Sequence, residues 1–156
     1  MRVVVAFGAN LGRRRQSIEE AARAVGRMLS EFTLSSIIET DPVGSGLEDQ
    51  PRYLNAVGVG ESDRAVRDIF DSLKRIEHDA GRTRPYQGAP RTLDLDLILA
   101  GDEVVEEPDL QVPHPRFRDR LFVLEPLVEI APDLVDPVTG LSIRELKDAV
   151  RKNPRA

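Results

Sequence analysis

The 156-residue chain contains no cysteine, no tryptophan and only three lysines. Without cysteine, disulfides, thiolate metal sites and covalent catalysis by sulfur are excluded. The longest apolar runs, Val3–Phe7 and Leu97–Ala100, fall far short of the roughly 20 residues that a membrane-spanning helix needs. Met1-Arg2 leads directly into a predicted strand, so no signal peptide is predicted. We therefore expect a soluble, cytoplasmic protein that does not associate with membranes.

Charge is unevenly distributed among residue types. The net charge of −5 argues against binding to duplex nucleic acid, for which a broad basic surface supplies most of the affinity. Nearly all positive charge is on arginine, which forms two-pronged contacts with phosphate or carboxylate groups. A compositional bias of the source, or adaptation to heat, explains the arginine content equally well. We expect no nucleic-acid partner, and any anionic ligand must be held by a local cluster of arginines.

A chain of this length can bury enough apolar surface to form one hydrophobic core, so residues 1–156 are interpreted as one domain. Hydrophobic periodicity predicts alternating strands and helices. The predicted strands are Arg2–Phe7, Phe32–Ile38, Tyr53–Gly60 and Leu93–Leu99, and the first two helices are about Arg15–Leu29 and Ser62–Ala80. The order βαββαβ predicts an α+β fold with a ferredoxin-like core, an α-β-α sandwich around a mainly antiparallel sheet.

Three segments are predicted to be turns or loops. Gly8–Gly12 lacks the motifs of nucleotide-binding glycine loops and is interpreted as a strand-to-helix turn. Asp41–Pro51 and Arg82–Arg91 are rich in proline and glycine, and Arg82–Arg91 is also basic. Loops as long as Asp41–Pro51 are uncommon in compact domains and are often functional.

The C-terminal third is predicted to contain a hairpin and two helices. Gly101-Asp102 is typical of a hairpin turn, with Val104-Val105 as a short return strand. A helix is predicted over Arg118–Ile130 despite an internal proline, and another over Ser142–Val150, which opens with the spacing of a capping box.

The strongest chemical signal is two aspartates in a strand. Asp94 and Asp96 share one face, about 7 Å apart, because strand side chains alternate. Two carboxylates that converge repel each other unless a cation neutralises them. Mg²⁺ prefers such oxygen ligands and is usually bound by one or two carboxylates together with substrate phosphates. A solvated face of an edge strand would show the same alternation of leucine and aspartate.

Cationic residues surround this strand in the sequence. Arg82, Arg84 and Arg91 precede it, and His114 and Arg120 follow it, together with Arg116 and Arg118. Arginine and metal ions together stabilise the charge on a transferring phosphoryl group. Taken singly, each arginine could equally be a solvated surface charge, which is the simpler interpretation of Arg116 and Arg118.

Aromatic residues make up only 4% of the chain. Tyr53 and Asn55 share a strand face directly after a long predicted loop, and they offer a ring beside an amide with donors and an acceptor. This pair suits a flat heterocycle. A half-exposed tyrosine and asparagine on the sheet are an equally good explanation.

Six motifs, in order along nearly the whole chain, resemble one enzyme family. They are Gly8-Ala9-Asn10-Leu11-Gly12, Gln50-Pro51-x-Tyr53-Leu54-Asn55-Ala56, Gly81-Arg82-x-Arg84, Pro90-Arg91-Thr92-Leu93-Asp94-Leu95-Asp96, Val112-Pro113-His114 and Arg120-x-Phe122-Val123-Leu124-x-Pro126-Leu127-x-Glu129-Ile130-Ala131-Pro132. Together they resemble the 6-hydroxymethyl-7,8-dihydropterin pyrophosphokinases of folate biosynthesis. The Arg-Thr-Leu-Asp-Leu-Asp block is the most specific of them.

The resemblance implies a Mg²⁺-dependent transfer of pyrophosphate from ATP to the hydroxymethyl group of the dihydropterin, with release of AMP. It implies that Asp94 and Asp96 hold two Mg²⁺ ions and that, with Arg82 and Arg91, they form the catalytic set. The implied ATP-binding residues are Glu77, Arg82, Arg84, Arg91, His114 and Arg120, and the implied pterin-binding residues are Thr40, Val43, Tyr53, Asn55 and Phe122. We expect these two small molecules as ligands and a monomeric enzyme.

The chain also departs from the family pattern. The basic loop reads Tyr86-Gln87-Gly88-Ala89, where the family usually has Trp-Gly before Pro-Arg, and Pro115 replaces an aromatic residue often found after the histidine. These differences bear on loop closure and rate. Two other classes fit the aspartate pair: a different Mg²⁺-dependent transferase, which would not need Tyr53, Asn55 and Phe122, and a non-catalytic ferredoxin-like binding module.

Overall fold

The computed structural model describes residues 1–10, 14–40, 53–81 and 93–152. In these ranges the strands are β1 (Arg2–Ala9), β2 (Ser30–Leu34), β3 (Ile38–Thr40), β4 (Tyr53–Glu61), β5 (Asp94–Ala100), β6 (Val105–Glu107) and β7 (Leu110–Val112). The helices are α1 (Arg14–Met28), α2 (Val66–Gly81), α3 (Leu121–Ile130) and α4 (Ile143–Lys152), and a short 3₁₀ helix covers Phe117–Asp119. The predicted loops Asp41–Pro51 and Arg82–Arg91 lie outside the described residues.

The main sheet has the strand order β2-β4-β1-β5, and β3 pairs with β4 beyond the end of β2. All of its pairs are antiparallel. The two halves of the outer strand, β2 and β3, together occupy one position, so the order is that of a βαββαβ core. The predicted α+β fold with an antiparallel sheet is confirmed.

Each face of the sheet carries its own hydrophobic core. The first core, on one face of the sheet, joins α1 and α2 to residues such as Val5 and Leu95. The second core, on the other face, joins α3 and α4 to Val57 and Ile98. Alternation along the central strands β1 and β4 supplies both cores, which explains why these strands are buried along most of their length. Within the described ranges, no helix is both long and apolar enough to cross a bilayer.

The predicted single strand over Phe32–Ile38 is wrong, because the structure breaks it into β2 and β3. At the break, the Ser35 hydroxyl accepts a hydrogen bond from the Val57 N–H at 2.9 Å, and the Ser35 N–H donates to the Val57 carbonyl at 2.8 Å. On the next residue, the Ser36 N–H and hydroxyl both donate to the Glu129 carboxylate of α3. Polar side chains therefore form hydrogen bonds with backbone N–H groups where the strand is interrupted. The pattern of hydrophobic residues does not predict these contacts.

The predicted hairpin after β5 is also wrong. Gly101 does make a turn, with φ of 57°, but the following strand β6 pairs with β7 rather than with β5. The sequence signal for β7 was missed because that strand is only three residues long. The resulting β6–β7 hairpin folds over the outer edge of β5 and α2.

Helices α3 and α2 both begin later in the chain than the sequence predicts. Arg120 is extended, with φ of −108° and ψ of 100°, so the predicted helix from Arg118 splits into the 3₁₀ helix and α3. The Arg118 guanidinium consequently faces the fully buried Asp136 carboxylate, with Nε 2.5 Å from Oδ2. Helix α2 begins at Val66, since the Ser62 hydroxyl accepts from the Arg64 N–H instead of capping a helix.

The capping box predicted for the last helix is confirmed. The Ser142 N–H donates to the Glu145 carboxylate, and the Glu145 N–H donates to the Ser142 hydroxyl, each at 3.1 Å. Hydrogen bonds to the Glu145 carboxylate from the Ser142 backbone N–H and side chain hold the pKa of Glu145 below its ordinary value, because they favour the charged form.

Candidate active site

The face of the sheet that carries the second core is only partly covered by helices. Helices α3 and α4 are ten residues each and pack over the end of the sheet that contains Val4 and Val59. Toward the other end of this face, the half-buried Ala6 and Gly8 lie on the central strand β1. An open strip of sheet therefore remains, and most of the predicted site residues that the structure describes lie beside it.

Gly8 forms the floor of this strip. In the sheet register Gly8 lies opposite Asn55 on one side and opposite Asp94 on the other. Adjacent strands are about 4.8 Å apart, so the Asn55 and Asp94 backbones lie roughly 10 Å apart across the glycine. The predicted strand-to-helix turn over Gly8–Gly12 starts too early, since β1 continues to Ala9, and Leu11–Gly12 lie outside the described residues. A glycine inside a strand often marks close approach of a ligand, and that signal was available in the sequence.

Asn55 is buried and held in one orientation. Its amide Nδ2 donates to the Thr40 hydroxyl at 2.6 Å, and Thr40 lies on the neighbouring strand β3. With Nδ2 so placed, the other amide atom, Oδ1, faces Gly8 and lies 3.4 Å from the position that a Cβ on residue 8 would take. Tyr53 lies two residues away on the same face and is half-buried. The structure thus brings Thr40, Tyr53 and Asn55 together.

Asp94 and Asp96 lie on the same face at the other side of the strip. Asp96 is half-buried opposite Ala6, and Asp94 is exposed opposite Gly8. Their leucine neighbours point into the first core, so the alternation predicted from the sequence is confirmed. Among the described residues, no group of three or more His, Asp or Glu side chains converges on one point. A cation held here would draw its remaining ligands from water or a bound phosphate, which is the usual coordination of Mg²⁺.

His114 approaches the aspartate pair from the segment after β7. Its backbone N–H donates to the Ile98 carbonyl at 2.9 Å, which fixes it beside β5, and its Nδ1 accepts from the Arg116 N–H at 3.1 Å. Partial burial lowers the pKa of His114, and the charges of Arg120 and Arg116 lower it further while Asp96 opposes them. Neutral His114 therefore carries its proton on Nε2.

Arg120 and Phe122 lie together at the start of α3. The Arg120 guanidinium carbon is 5.5 Å from the centre of the Phe122 ring, a cation–π contact. Helix α3 packs against β4 and β3, the strands that carry Asn55 and Thr40. Phe122 is half-buried against the second core. The ring and the guanidinium are thus placed on the same face as the polar strip.

A cavity of about 370 Å³ lies at the outer edge of β5. Asp96, Leu97 and His114 form its inner wall. One side wall is α2, through Phe70 and Lys74, and the other is the β6–β7 hairpin, through Pro108, Asp109, Leu110 and Gln111. The cavity therefore opens directly onto one carboxylate of the aspartate pair.

Glu77 and Lys74 of α2 form hydrogen bonds with the backbone of β5, the strand that carries the aspartate pair. The buried Glu77 carboxylate accepts from the Leu95 N–H at 2.5 Å, and Lys74 Nζ lies 3.5 Å from the Leu95 carbonyl and 3.3 Å from Glu77. The two side chains thus take the place of a neighbouring strand for the residue between Asp94 and Asp96. Sequence reasoning missed Lys74, although its i, i+3 spacing to Glu77 was visible.

The remaining predicted site residues, Val43, Arg82, Arg84 and Arg91, lie outside the described residues. Their roles stay predictions. Of the described set, Asp94 and Asp96 lie at one end of the strip, with His114 close to Asp96 and Arg120 close to His114. Thr40, Tyr53 and Asn55 lie at the other end. Glu77 is separate from both groups, behind β5.

Sequence comparison identifies relatives of known activity. Residues 4–132 match the family model of the 7,8-dihydro-6-hydroxymethylpterin-pyrophosphokinases. A pyrophosphokinase for 2-amino-4-hydroxy-6-hydroxymethyldihydropteridine from Pseudomonas aeruginosa is 41% identical over 135 residues, which cover 85% of this chain and 82% of that protein. The enzyme of the same name from Bacillus subtilis is 37% identical over 138 residues, covering 87% of this chain and 81% of that protein.

Solved structures agree on the fold. The wild-type Plasmodium falciparum HPPK-DHPS structure superposes with a TM-score of 0.75 at 13% sequence identity, over 99% of this chain and 46% of that chain. This chain thus spans less than half of that two-part protein.

The fold and the relatives define an enzyme, a diphosphate-transferring kinase of folate biosynthesis. The chain belongs to the 7,8-dihydro-6-hydroxymethylpterin-pyrophosphokinase family. The non-catalytic binding module considered from the sequence is thereby set aside.

Proposed function

We propose that the chain transfers pyrophosphate from ATP to 6-hydroxymethyl-7,8-dihydropterin in a Mg²⁺-dependent reaction that releases AMP. One observation carries the proposal: the sheet register places the Asn55 amide and the Asp94 carboxylate on either side of Gly8. An amide suited to a heterocycle and a carboxylate suited to a metal–phosphate group therefore face the same open strip. A ligand at each end brings the two reacting groups together.

The transfer breaks one bond and forms another without a protein nucleophile. The hydroxymethyl oxygen attacks the β-phosphorus of ATP, the bond from that phosphorus to the oxygen bridging the α-phosphate breaks, and AMP leaves with the bond electrons. The hydroxyl proton is lost to solvent or a phosphate oxygen. When bound, two Mg²⁺ ions held by Asp94 and Asp96 would neutralise the phosphate charge. The protein's own contribution is to position both substrates and exclude water.

The pterin would bind at the Asn55 end of the strip. Asn55 is aligned by Thr40, so its amide is set to read the edge of a flat heterocycle without reorganising. Phe122 and Tyr53 would supply the ring faces, and Val43 would close the pocket. Burial of Asn55 supports this role, because a buried amide requires partners for its remaining hydrogen-bonding positions.

ATP would occupy the cavity beside β5, with its phosphates toward Asp96. His114 lines the cavity and is placed to donate a hydrogen bond from Nε2 to a phosphate oxygen. Arg120 is close enough to His114 to lower the pKa of the imidazole. Arg82, Arg84 and Arg91 would complete the phosphate contacts, with Arg82 and Arg91 acting on the transferred group. Glu77 would act on the nucleotide site through β5 rather than by touching ATP, because its carboxylate is bonded to Leu95.

We also propose that residues 1–156 act as a single domain and a monomer in the cytoplasm. Both hydrophobic cores pack on the same sheet, which supports one folding unit among the described residues. Sedimentation of the purified chain at a mass of one copy is the expected result, and a mass of two copies would contradict it.

An AMP assay tests the proposed reaction. We expect AMP from ATP only when the hydroxymethyl-dihydropterin and Mg²⁺ are both present, with one AMP formed per pterin diphosphate. AMP formation that is independent of the pterin would contradict the assignment of the acceptor. AMP formation that persists in excess chelator would contradict the assignment of the metal.

Asn55→Ala should weaken pterin binding selectively. The substitution removes the aligned amide but touches none of the residues that line the cavity, so we expect at least a tenfold loss of pterin affinity and less than a twofold change for ATP. Calorimetric titration of each ligand measures both. Thr33→Ala is the control, because Thr33 is an exposed residue on β2, outside the strip. Equal losses for both ligands in Asn55→Ala would contradict the proposed pocket.

A further inference from the structure

The tip of the β6–β7 hairpin is a wall of the cavity that carries little of the core. Leu110, directly after the tip, and Val112, at the base of the hairpin, are buried in the first core. The tip, Glu107–Asp109, is exposed, yet Pro108 and Asp109 line the cavity. Leu110 anchors this wall in the core, and the exposed tip residues can be held in place only by additional polar contacts.

Arg67 of α2 supplies such contacts through its planar guanidinium. Its Nη1 donates to Asp109 Oδ2 at 2.8 Å, and its Nη2 donates to Asp109 Oδ1 at 3.1 Å and to Glu107 Oε1 at 2.7 Å. Hydrogen bonding to the two carboxylates raises the pKa of Arg67, and hydrogen bonding to Arg67 lowers the pKa of Asp109. Both side chains therefore stay charged. Both ends of the hairpin turn are thus tied to one side chain.

The same guanidinium also contacts the opposite wall. Its central carbon is 5.7 Å from the centre of the Phe70 ring, and Lys74 Nζ lies 5.3 Å from the same ring. Phe70 and Lys74 line the cavity on the α2 side. Arg67 therefore connects the two walls that enclose the proposed nucleotide site, without itself lining that site.

Exposed ion pairs contribute little to global stability when they are isolated. Arg67 differs in its geometry, because it makes a two-pronged contact with one carboxylate and a further bond to a second. We expect this network to fix the local position of the hairpin tip while adding little to the free energy of unfolding of the whole chain.

We propose that Arg67 is a positioning residue for the nucleotide: it holds the β6–β7 hairpin against α2 and so sets the width of the cavity beside Asp96. The proposal rests on the proposed function, in which ATP occupies that cavity. Arg67 acts through Glu107 and Asp109 and does not contact the reacting phosphates.

Steady-state kinetics of Arg67→Met test the proposal. We expect the KM for ATP to rise about tenfold while the KM for the pterin and the melting temperature change little. Arg67→Lys should give a smaller rise, because an ammonium keeps the charge but cannot make the two-pronged contact. Arg64→Met is the matched control: Arg64 is an exposed arginine just before α2, and among the described residues its guanidinium bonds within its own segment, to the Asp68 carbonyl and the Ser72 hydroxyl.

A double-mutant cycle separates positioning from a general charge effect. Glu107→Ala with Asp109→Ala removes the acceptors of Arg67, so adding Arg67→Met to that variant should raise the KM for ATP no further. Additive effects, an unchanged KM for ATP in Arg67→Met, or an equal rise in Arg64→Met would each overturn the proposal. If the wild-type protein fails to bind α,β-methylene-ATP at all, the proposed function fails, and it fails independently of Arg67.

Discussion

Asp96→Ala is expected to eliminate measurable AMP formation while leaving the chain folded. Asp96 is half-buried, lies opposite Ala6 and borders the cavity beside His114, so its carboxylate is placed to hold a cation against the phosphates of ATP. Loss of one such ligand should cost about 3 kcal/mol or more of transition-state stabilisation, a decrease of at least about 100-fold in kcat. Quantifying AMP at saturating ATP, pterin and Mg²⁺ measures the loss.

Asp102→Ala is the matched control for this variant. Asp102 is an exposed aspartate in the turn just after β5, at the end of that strand far from the open strip. It should retain wild-type turnover. Wild-type AMP formation in Asp96→Ala would show that the aspartate pair is not the metal site, and thermal melting of the variant distinguishes a catalytic loss from unfolding.

Arg118→Met is expected to lower the free energy of unfolding by about 3 kcal/mol, the order of effect seen when one partner of a buried ion pair is removed. The variant leaves the Asp136 carboxylate, which is 0% exposed, with the Thr139 hydroxyl and the Val138 N–H as its remaining donors in the part of the chain that the structure describes. Urea denaturation at pH 7 measures the change. Arg144→Met is the control, since Arg144 pairs with Asp133 at the surface and should cost less than about 1 kcal/mol.

The effect of Arg118→Met should shrink in acid. Burial alone would raise the pKa of Asp136, but the hydrogen bonds from Arg118 and Thr139 outweigh it and lower the pKa below its ordinary value. A carboxyl with a lowered pKa contributes stability that is present above its unfolded pKa, near 3.9, and is lost as the pH falls through the folded value. The difference between wild type and variant should therefore be full at pH 7 and narrow below about pH 4. A difference that is constant with pH would contradict this account.

The fold was predictable because local patterns and layer packing agree. Alternation in Tyr53–Gly60 and helical spacing in α1 and α2 specify elements that bury one face each, and the βαββαβ order leaves few ways to arrange them. The errors have local causes. The split of Phe32–Ile38 depends on hydrogen bonds from Ser35 and Ser36 to distant residues, and β7 is too short for a periodic signal.

Much of the candidate site was predictable from side-chain chemistry, but its spatial arrangement was not. Asp94 and Asp96 share a face because of strand geometry alone, and Asn55 was identified by its position beside Tyr53. The alignment of Gly8 between Asn55 and Asp94 depends on the register of two strand pairs, which no local pattern specifies. The roles of Lys74 and Arg67 depend likewise on tertiary contacts between α2, β5 and the β6–β7 hairpin.

The most direct test of the aspartate pair is the affinity of α,β-methylene-ATP, measured by calorimetry with and without Mg²⁺. Binding should tighten by at least tenfold when Mg²⁺ is added to the wild-type protein, and by less than twofold in a variant in which Asp94 and Asp96 are both replaced by alanine. Equal tightening in the two proteins would contradict the account, because the cation would then be bound without the carboxylates of β5.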